Sequence, residues 1–194
     1  VARGSRRAIV IADLPFGTYQ ESVEQALATA VRFIKDGNAH AIKLEGGAHV
    51  LPQVEALVAA GIPVMGHLGL TPQSVNQFGG YKVQGRGHDG DVIVEDAIAL
   101  EKAGAFAIVL EVVPAELAAR VRDAVNIPIV GIGAGTEADA QVLVWHDLLG
   151  FTSAHQAKFV KHYAELHKEA TSAVSAWARD VESGAYPDAD HEYH

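Results

Sequence analysis

Short apolar runs that end on polar or glycine-rich tips recur along this chain. Ile9-Val10-Ile11-Ala12 leads into Asp13, and Ala41-Ile42 leads into Lys43-Leu44-Glu45-Gly46-Gly47. Ile62 to Gly66 leads into His67, Ala107 to Leu110 into Glu111, and Ile127 to Val130 into Gly131-Ile132-Gly133-Ala134-Gly135. A sixth run, Gln141 to Trp145, leads into His146-Asp147. Nearly continuous apolar strands of this length fit a parallel sheet covered on both faces. Polar tips in register place the chemistry at one end of that sheet, as in a parallel α/β barrel.

The intervening segments carry the helical period. Ser22-Val23-Glu24-Gln25 fits a capping box, and Val23, Leu27, Val31 and Ile34 then share one face before Gly37. Val50, Val54, Leu57 and Val58 repeat the pattern before Gly61, as do Ile93, Ala97 and Leu100 before Gly104. Pro114 suits the first turn of a helix through Ala124. Phe159, Tyr163, Leu166, Ala170, Val174, Trp177 and Val181 form a last helical stripe, expected to lie against the outside of the barrel. The expected architecture is a (β/α) barrel domain over residues 1–194, with C-terminal helices and tail over 155–194. A doubly wound open sheet is the competing arrangement.

Composition narrows the function classes. The 194 residues are 49% hydrophobic and 20% charged, enough for a substantial core. There are no cysteines, which excludes disulfides, thiolate metal sites and cysteine nucleophiles. A net charge of −9 argues against a nucleic-acid surface. No apolar run is long enough to span a bilayer, and with no signal-peptide pattern the expected compartment is the cytoplasm. A complete eight-stranded barrel takes about 250 residues, whereas roughly six of eight strands are legible here. The chain begins at Val1 and enters a strand almost at once, so we expect about two further βα units of about 30 residues each to precede it.

The strand-end residues are the candidate chemistry. Lys43 and Glu45 stand two apart, so they point the same way if the strand continues. They form either a site or a structural ion pair on an edge strand. Asp13, followed by Leu14-Pro15, is either a site carboxylate or a loop cap, and His67 is either a pocket wall or a hydrogen-bonded core histidine. Glu111 follows four apolar residues and needs a partner at a barrel mouth. The glycines of 131–135 lack the spacing of a nucleotide loop and read as close backbone packing. His146 and Asp147 read as the tip of the last strand, either touching substrate or pairing across the barrel. The glycine-punctuated stretch from Gly69 to Gly90, with Lys82 and Arg86, is expected to be a long loop covering the site.

Ala12-Asp13-Leu14-Pro15-Phe16, Lys43 to Gly47, Gly66 to Asn76, Gly79 to Gly87, Leu110 to Pro114 and Gly131 to Gly135 occur in that order. Together they closely resemble the ketopantoate hydroxymethyltransferase family of pantothenate biosynthesis. The resemblance implies a TIM (β/α)8 barrel of the phosphoenolpyruvate/pyruvate type. It implies transfer of a hydroxymethyl group from 5,10-methylenetetrahydrofolate to 3-methyl-2-oxobutanoate, giving 2-dehydropantoate through a metal-stabilised enolate. Asp13 and Glu45 resemble carboxylates of a Mg2+ site, and Asp13, Lys43 and His67 resemble substrate contacts. Glu111 resembles the general base at C3. The resemblance also implies a homo-oligomer, a decamer of stacked rings. A family aspartate–serine pair on the preceding strand falls outside this chain, so little activity is expected of it alone. Another enolate-forming lyase or aldolase on 2-oxo acids, or a non-catalytic fragment, are the alternative readings.

Overall fold

The computed structural model describes residues 1–152 and 156–193. Two compact units are present, Val1–Val142 and Leu143–His194.

In the first unit six strands form one parallel sheet: β1 (Ile11–Asp13), β2 (Ala41–Lys43), β3 (Val64–Gly69), β4 (Ala107–Glu111), β5 (Ile129–Ile132) and β6 (Ala140–Gln141). Each strand pairs with the next in the chain, in the order β1-β2-β3-β4-β5-β6. A doubly wound sheet reverses its strand order at a switch point. No reversal occurs here, and the sheet winds in one sense as a barrel does. The crossovers carry α1 (Val23–Lys35), α2 (Leu51–Ala59), the short α3 (Val75–Phe78), α4 (Asp89–Lys102) and α5 (Ala115–Ala124).

Side-chain alternation along the strands separates two environments. Ile42 and Leu44, Val64 and Leu68, and Ile108 and Leu110 join a buried cluster with Ala30 of α1, Leu57 of α2, Leu100 of α4 and Val121 of α5. The intervening positions face the other way: Lys43, His67 and Glu111, with Asp13 level with Lys43 in the β1–β2 register. Burying the first set against the helices therefore fixes the direction of the second.

Local sequence signals hold with adjustments. The Ser22 hydroxyl accepts from the Gln25 N–H at 3.1 Å, whereas the Gln25 side chain reaches back to the N–H of Glu21, one residue before the expected partner. Gly37 does close α1, but the left-handed residue is Asn38 (φ 52). Gly37 is small because a Cβ would strike the carbonyl oxygen of Phe33 at 2.6 Å. Pro114 is the N-cap of α5, one position earlier than expected.

Three expectations need correction. The sixth strand ends at Gln141, and Trp145 and His146 lie in a helical turn, α6 (Trp145–Leu148), of the second unit. The 69–90 stretch is partly regular, with a 3-10 turn at Pro72–Ser74 and α3 closed by left-handed Gly79. The C-terminal stripe is helical only from Leu166, in α7 (Leu166–Ser183), which buries none of its residues. The expected start of that region at His155, and the terminal His194, lie outside the described residues.

Gly69 ends β3 at φ +87, and a Cβ there would run into the carbonyl oxygen of Glu111. That oxygen accepts the N–H of Leu70 at 2.8 Å. Gly69→Ala combines backbone strain with a clash against main chain, and we expect it to lower stability by about 2–4 kcal/mol in chemical denaturation. A loss below about 0.5 kcal/mol, the range of ordinary surface changes, would show that this approach is not a constraint.

Candidate active site

Four adjacent strands deliver five ionisable side chains to one rim. The Lys43 ammonium donates to Asp13 Oδ1 at 2.8 Å and to His67 Nδ1 at 3.1 Å, and stands 3.8 Å from Glu45 Oε1. An ammonium has no acceptor, so Nδ1 of His67 accepts, and the imidazole is assigned as the neutral tautomer protonated at Nε2. Nε2 is 3.1 Å from Glu111 Oε2 but outside hydrogen-bonding direction, and has no other partner among the described residues. A small rotation of Glu111 would complete that bond. Asp13, Lys43, Glu45, His67 and Glu111 thus gather as the sequence predicted. His146 and Asp147 belong to the second unit: His146 stacks on Trp145 at 3.9 Å, and Asp147 accepts from the Thr152 hydroxyl at 3.2 Å.

Glu45 lies past the end of β2, so strand geometry alone does not hold it. The N–H of Gln73 donates to its Oε2 at 2.9 Å, and its own N–H donates to the Tyr19 hydroxyl at 3.2 Å. Tyr19 is almost fully buried, and its hydroxyl in turn reaches Gln73 Oε1 at 3.0 Å. The Gln73 amide donates to the carbonyl of Leu14 at 2.8 Å. Tyr19 and Gln73 therefore tie the loops after β1, β2 and β3 into one frame. Burial holds the Glu45 carboxyl above its ordinary range, opposed by the Gln73 N–H, His67 and Lys43 and reinforced by Asp13.

Sequence reasoning missed Tyr19 and Gln73. A tyrosine between Thr18 and Gln20 in a polar loop was the available signal, since a buried Tyr needs a partner for its hydroxyl. Gln73 follows a strand end by a short turn; its bond to Glu45 comes from main chain, which no residue pattern reveals, while its side-chain amide bridges Tyr19 and Leu14.

Past Glu111 the chain turns sharply. Val112 is β-branched yet sits at φ 48, a conformation costing on the order of 1–3 kcal/mol. Its N–H donates to the Ile132 carbonyl at 2.8 Å, and its carbonyl accepts the Gln84 N–H at 3.0 Å. These bonds hold the peptide beside Glu111. Gly135, at φ +80, packs against Ala115 of α5, which bears out the reading of the 131–135 glycines as close packing.

Among the described residues no three His, Cys, Asp or Glu side chains are grouped to hold a metal ion. Asp13 and Glu45 nevertheless bracket a cation already, the Lys43 ammonium. Two carboxylates and solvent access fit Mg2+, which keeps waters and takes few protein ligands. Asp13 is half exposed, while Glu45 is enclosed and engaged by Gln73, so Asp13 suits direct contact and Glu45 contact through water.

A sequence profile described as Ketopantoate hydroxymethyltransferase matches residues 1–189. The chain belongs to the ketopantoate hydroxymethyltransferase family. Curated relatives called 3-methyl-2-oxobutanoate hydroxymethyltransferase are 58% identical in Frankia alni, 56% in Rhodococcus jostii and 57% in Acidothermus cellulolyticus. Each match covers 100% of this chain, which spans 64%, 67% and 71% of those relatives, about two thirds of their length. The fold is also similar to that of a phosphonopyruvate hydrolase crystal structure, with TM-score 0.53 and 17% identity, covering 96% of this chain and 65% of that one. At that identity the likeness shows the fold alone.

The Tyr19 hydroxyl gives this frame a pH signature. Burial pushes its pKa from 10.0 up to about 12, helped by the charges of Glu45 and Asp13 and opposed by the Glu45 main-chain hydrogen bond. Below pH 10 the group is neutral both folded and unfolded. Between about 10 and about 12 the unfolded chain ionises while the folded one resists, so stability falls as pH rises through that window. Tyr19→Phe should cost about 1–3 kcal/mol at pH 7, because the Glu45 N–H is left unpaired. The stability gap between wild type and variant should then shrink from pH 10 upward. A gap constant to pH 12 in urea titrations would refute this assignment.

Proposed function

We propose that this rim transfers a hydroxymethyl group from 5,10-methylenetetrahydrofolate to C3 of 3-methyl-2-oxobutanoate, giving 2-dehydropantoate. The carrying observation is the opposition of Glu111 to the Lys43–Asp13–Glu45 cluster across His67, in a chain of this family. Lys43 supplies the positive charge that meets the anionic oxygens of the 2-oxo acid. His67 presents a neutral N–H beside Glu111 and lines the wall between the two groups. Glu111, largely buried and clear of the Asp13–Glu45 pair, takes the proton from C3.

The electron pair of that C–H bond passes into the enolate and then forms the new bond to the methylene carbon. Both bonds from that carbon to the folate nitrogens break, one as the carbon–carbon bond forms and one as water supplies the hydroxyl oxygen. The two nitrogens take up the proton from C3 and one proton from that water. Asp13, and Glu45 through water, would hold a magnesium ion, which supplies polarisation of the keto group and charge stabilisation. Lys43, Glu45 and His67 keep bulk solvent from the enolate face, since Glu45 and His67 are buried.

The same reading extends to a homo-oligomer in the cytoplasm, supported by family membership and by the exposed Val174, Trp177 and Val181 of α7. No described helix is long and apolar enough to cross a membrane.

Glu111→Gln tests the base. Deuterium exchange at C3 of 3-methyl-2-oxobutanoate, followed by NMR without folate, should slow at least about 100-fold in this variant, while calorimetry still detects binding of the acid. Exchange at the wild-type rate would move the base elsewhere.

A further inference from the structure

One cleft is larger than the small 2-oxo acid needs. It measures about 620 Å3 and is walled by Val83, Gly85 and Arg86 on one side and Val113, Leu117 and Arg120 on the other. A five-carbon acid fills only a fraction of such a volume, which is in the range of pockets for much larger ligands. Its lining includes Val113, two residues beyond Glu111 in the chain.

The loop bearing Arg86 is fixed rather than draped. The Gln84 N–H donates to the Val112 carbonyl at 3.0 Å, which joins the loop to the strained turn after the base. Gly85, at φ +72, presses so closely that a Cβ would strike Leu117, and would meet Ile93 at 2.8 Å. The residue that follows is therefore held at the cleft edge.

The charges in the cleft are unequal in commitment. Arg120 is bonded to Asp91. Glu116 also lines the cleft and discourages anions on its own side. Arg86 is exposed and makes no ion pair among the described residues. Its guanidinium fork matches a carboxylate bidentately. Val83, Val113 and Leu117 give the same cleft apolar lining, suited to a flat or apolar stem. The site thus fits a ligand that reacts at one end and carries carboxylates at the other.

We propose that this cleft receives the carboxylate-bearing tail of the one-carbon donor, with Arg86 as its principal anchor. The proposal rests on the folate-dependent reading above and names where that donor lies.

The test compares 5,10-methylenetetrahydrofolate with the tail-free 5,10-methylenetetrahydropteroate, on wild-type full-length enzyme and on Arg86→Gln. Wild type should show a KM about 10-fold higher for the tail-free donor, the loss expected for one charge-assisted bidentate contact. In Arg86→Gln the KM for the glutamate-bearing donor should rise about 10-fold, and the two donors should then differ by less than about 2-fold. Arg86→Lys, which keeps charge but loses the fork, should fall between. Equal KM values for both donors in wild type, or the full difference retained in Arg86→Gln, would overturn the assignment. Donor-free C3 exchange in wild type separates the two ideas. If exchange is absent the transferase reading fails, and calorimetry of both donors then decides the cleft alone: a tail preference lost in Arg86→Gln upholds it, and no preference removes it.

Discussion

A single ammonium group sets the arrangement of the rim. Three carboxylates, Asp13, Glu45 and Glu111, converge on one side of a sheet whose other side is packed with apolar residues. Left to themselves they would repel, and the buried Glu45 would bear an unpaired charge. Lys43 answers both problems from a position between two of them. It also fixes the protonation of His67, because an ammonium donating to Nδ1 leaves the ring proton on the side of Glu111. Charge balance, imidazole orientation and the clear face of the base thus follow from one strand residue and its register partners.

That arrangement was legible because strands alternate strictly. Once Ile42, Leu44, Ile108 and Leu110 are assigned to the helix-covered side, Lys43 and Glu111 must point the other way. Short apolar runs carry less information where no such alternation is enforced. The Gln141–Trp145 run looked like another strand, but it pairs with β5 only at Ala140 and Gln141 before the chain turns into helix. Periodicity over so few residues does not separate strand from helix onset. Glu45 was predicted to share a face with Lys43 by strand geometry; it does so although β2 stops at Lys43, because Gln73 and Tyr19 hold it there.

The strained turn at Val112 belongs to the same logic. A glycine would relieve the left-handed backbone, yet the valine is held by hydrogen bonds to β5 on one side and to the Gln84 loop on the other. The rim is therefore coupled to its surrounding loops through main chain. Side-chain chemistry at the sheet end and loop position are not independent variables in this protein.

The unbroken neighbour order of the strands bears on how the molecule assembles. Each strand meets its partner one crossover later, so each pairing closes a loop of one βα unit and none waits for a more distant part of the chain. All five rim residues lie between Asp13 and Glu111. During synthesis the chemistry can be preformed while the later strands are still emerging, with the growing edge of the sheet always the next docking site for the nascent segment.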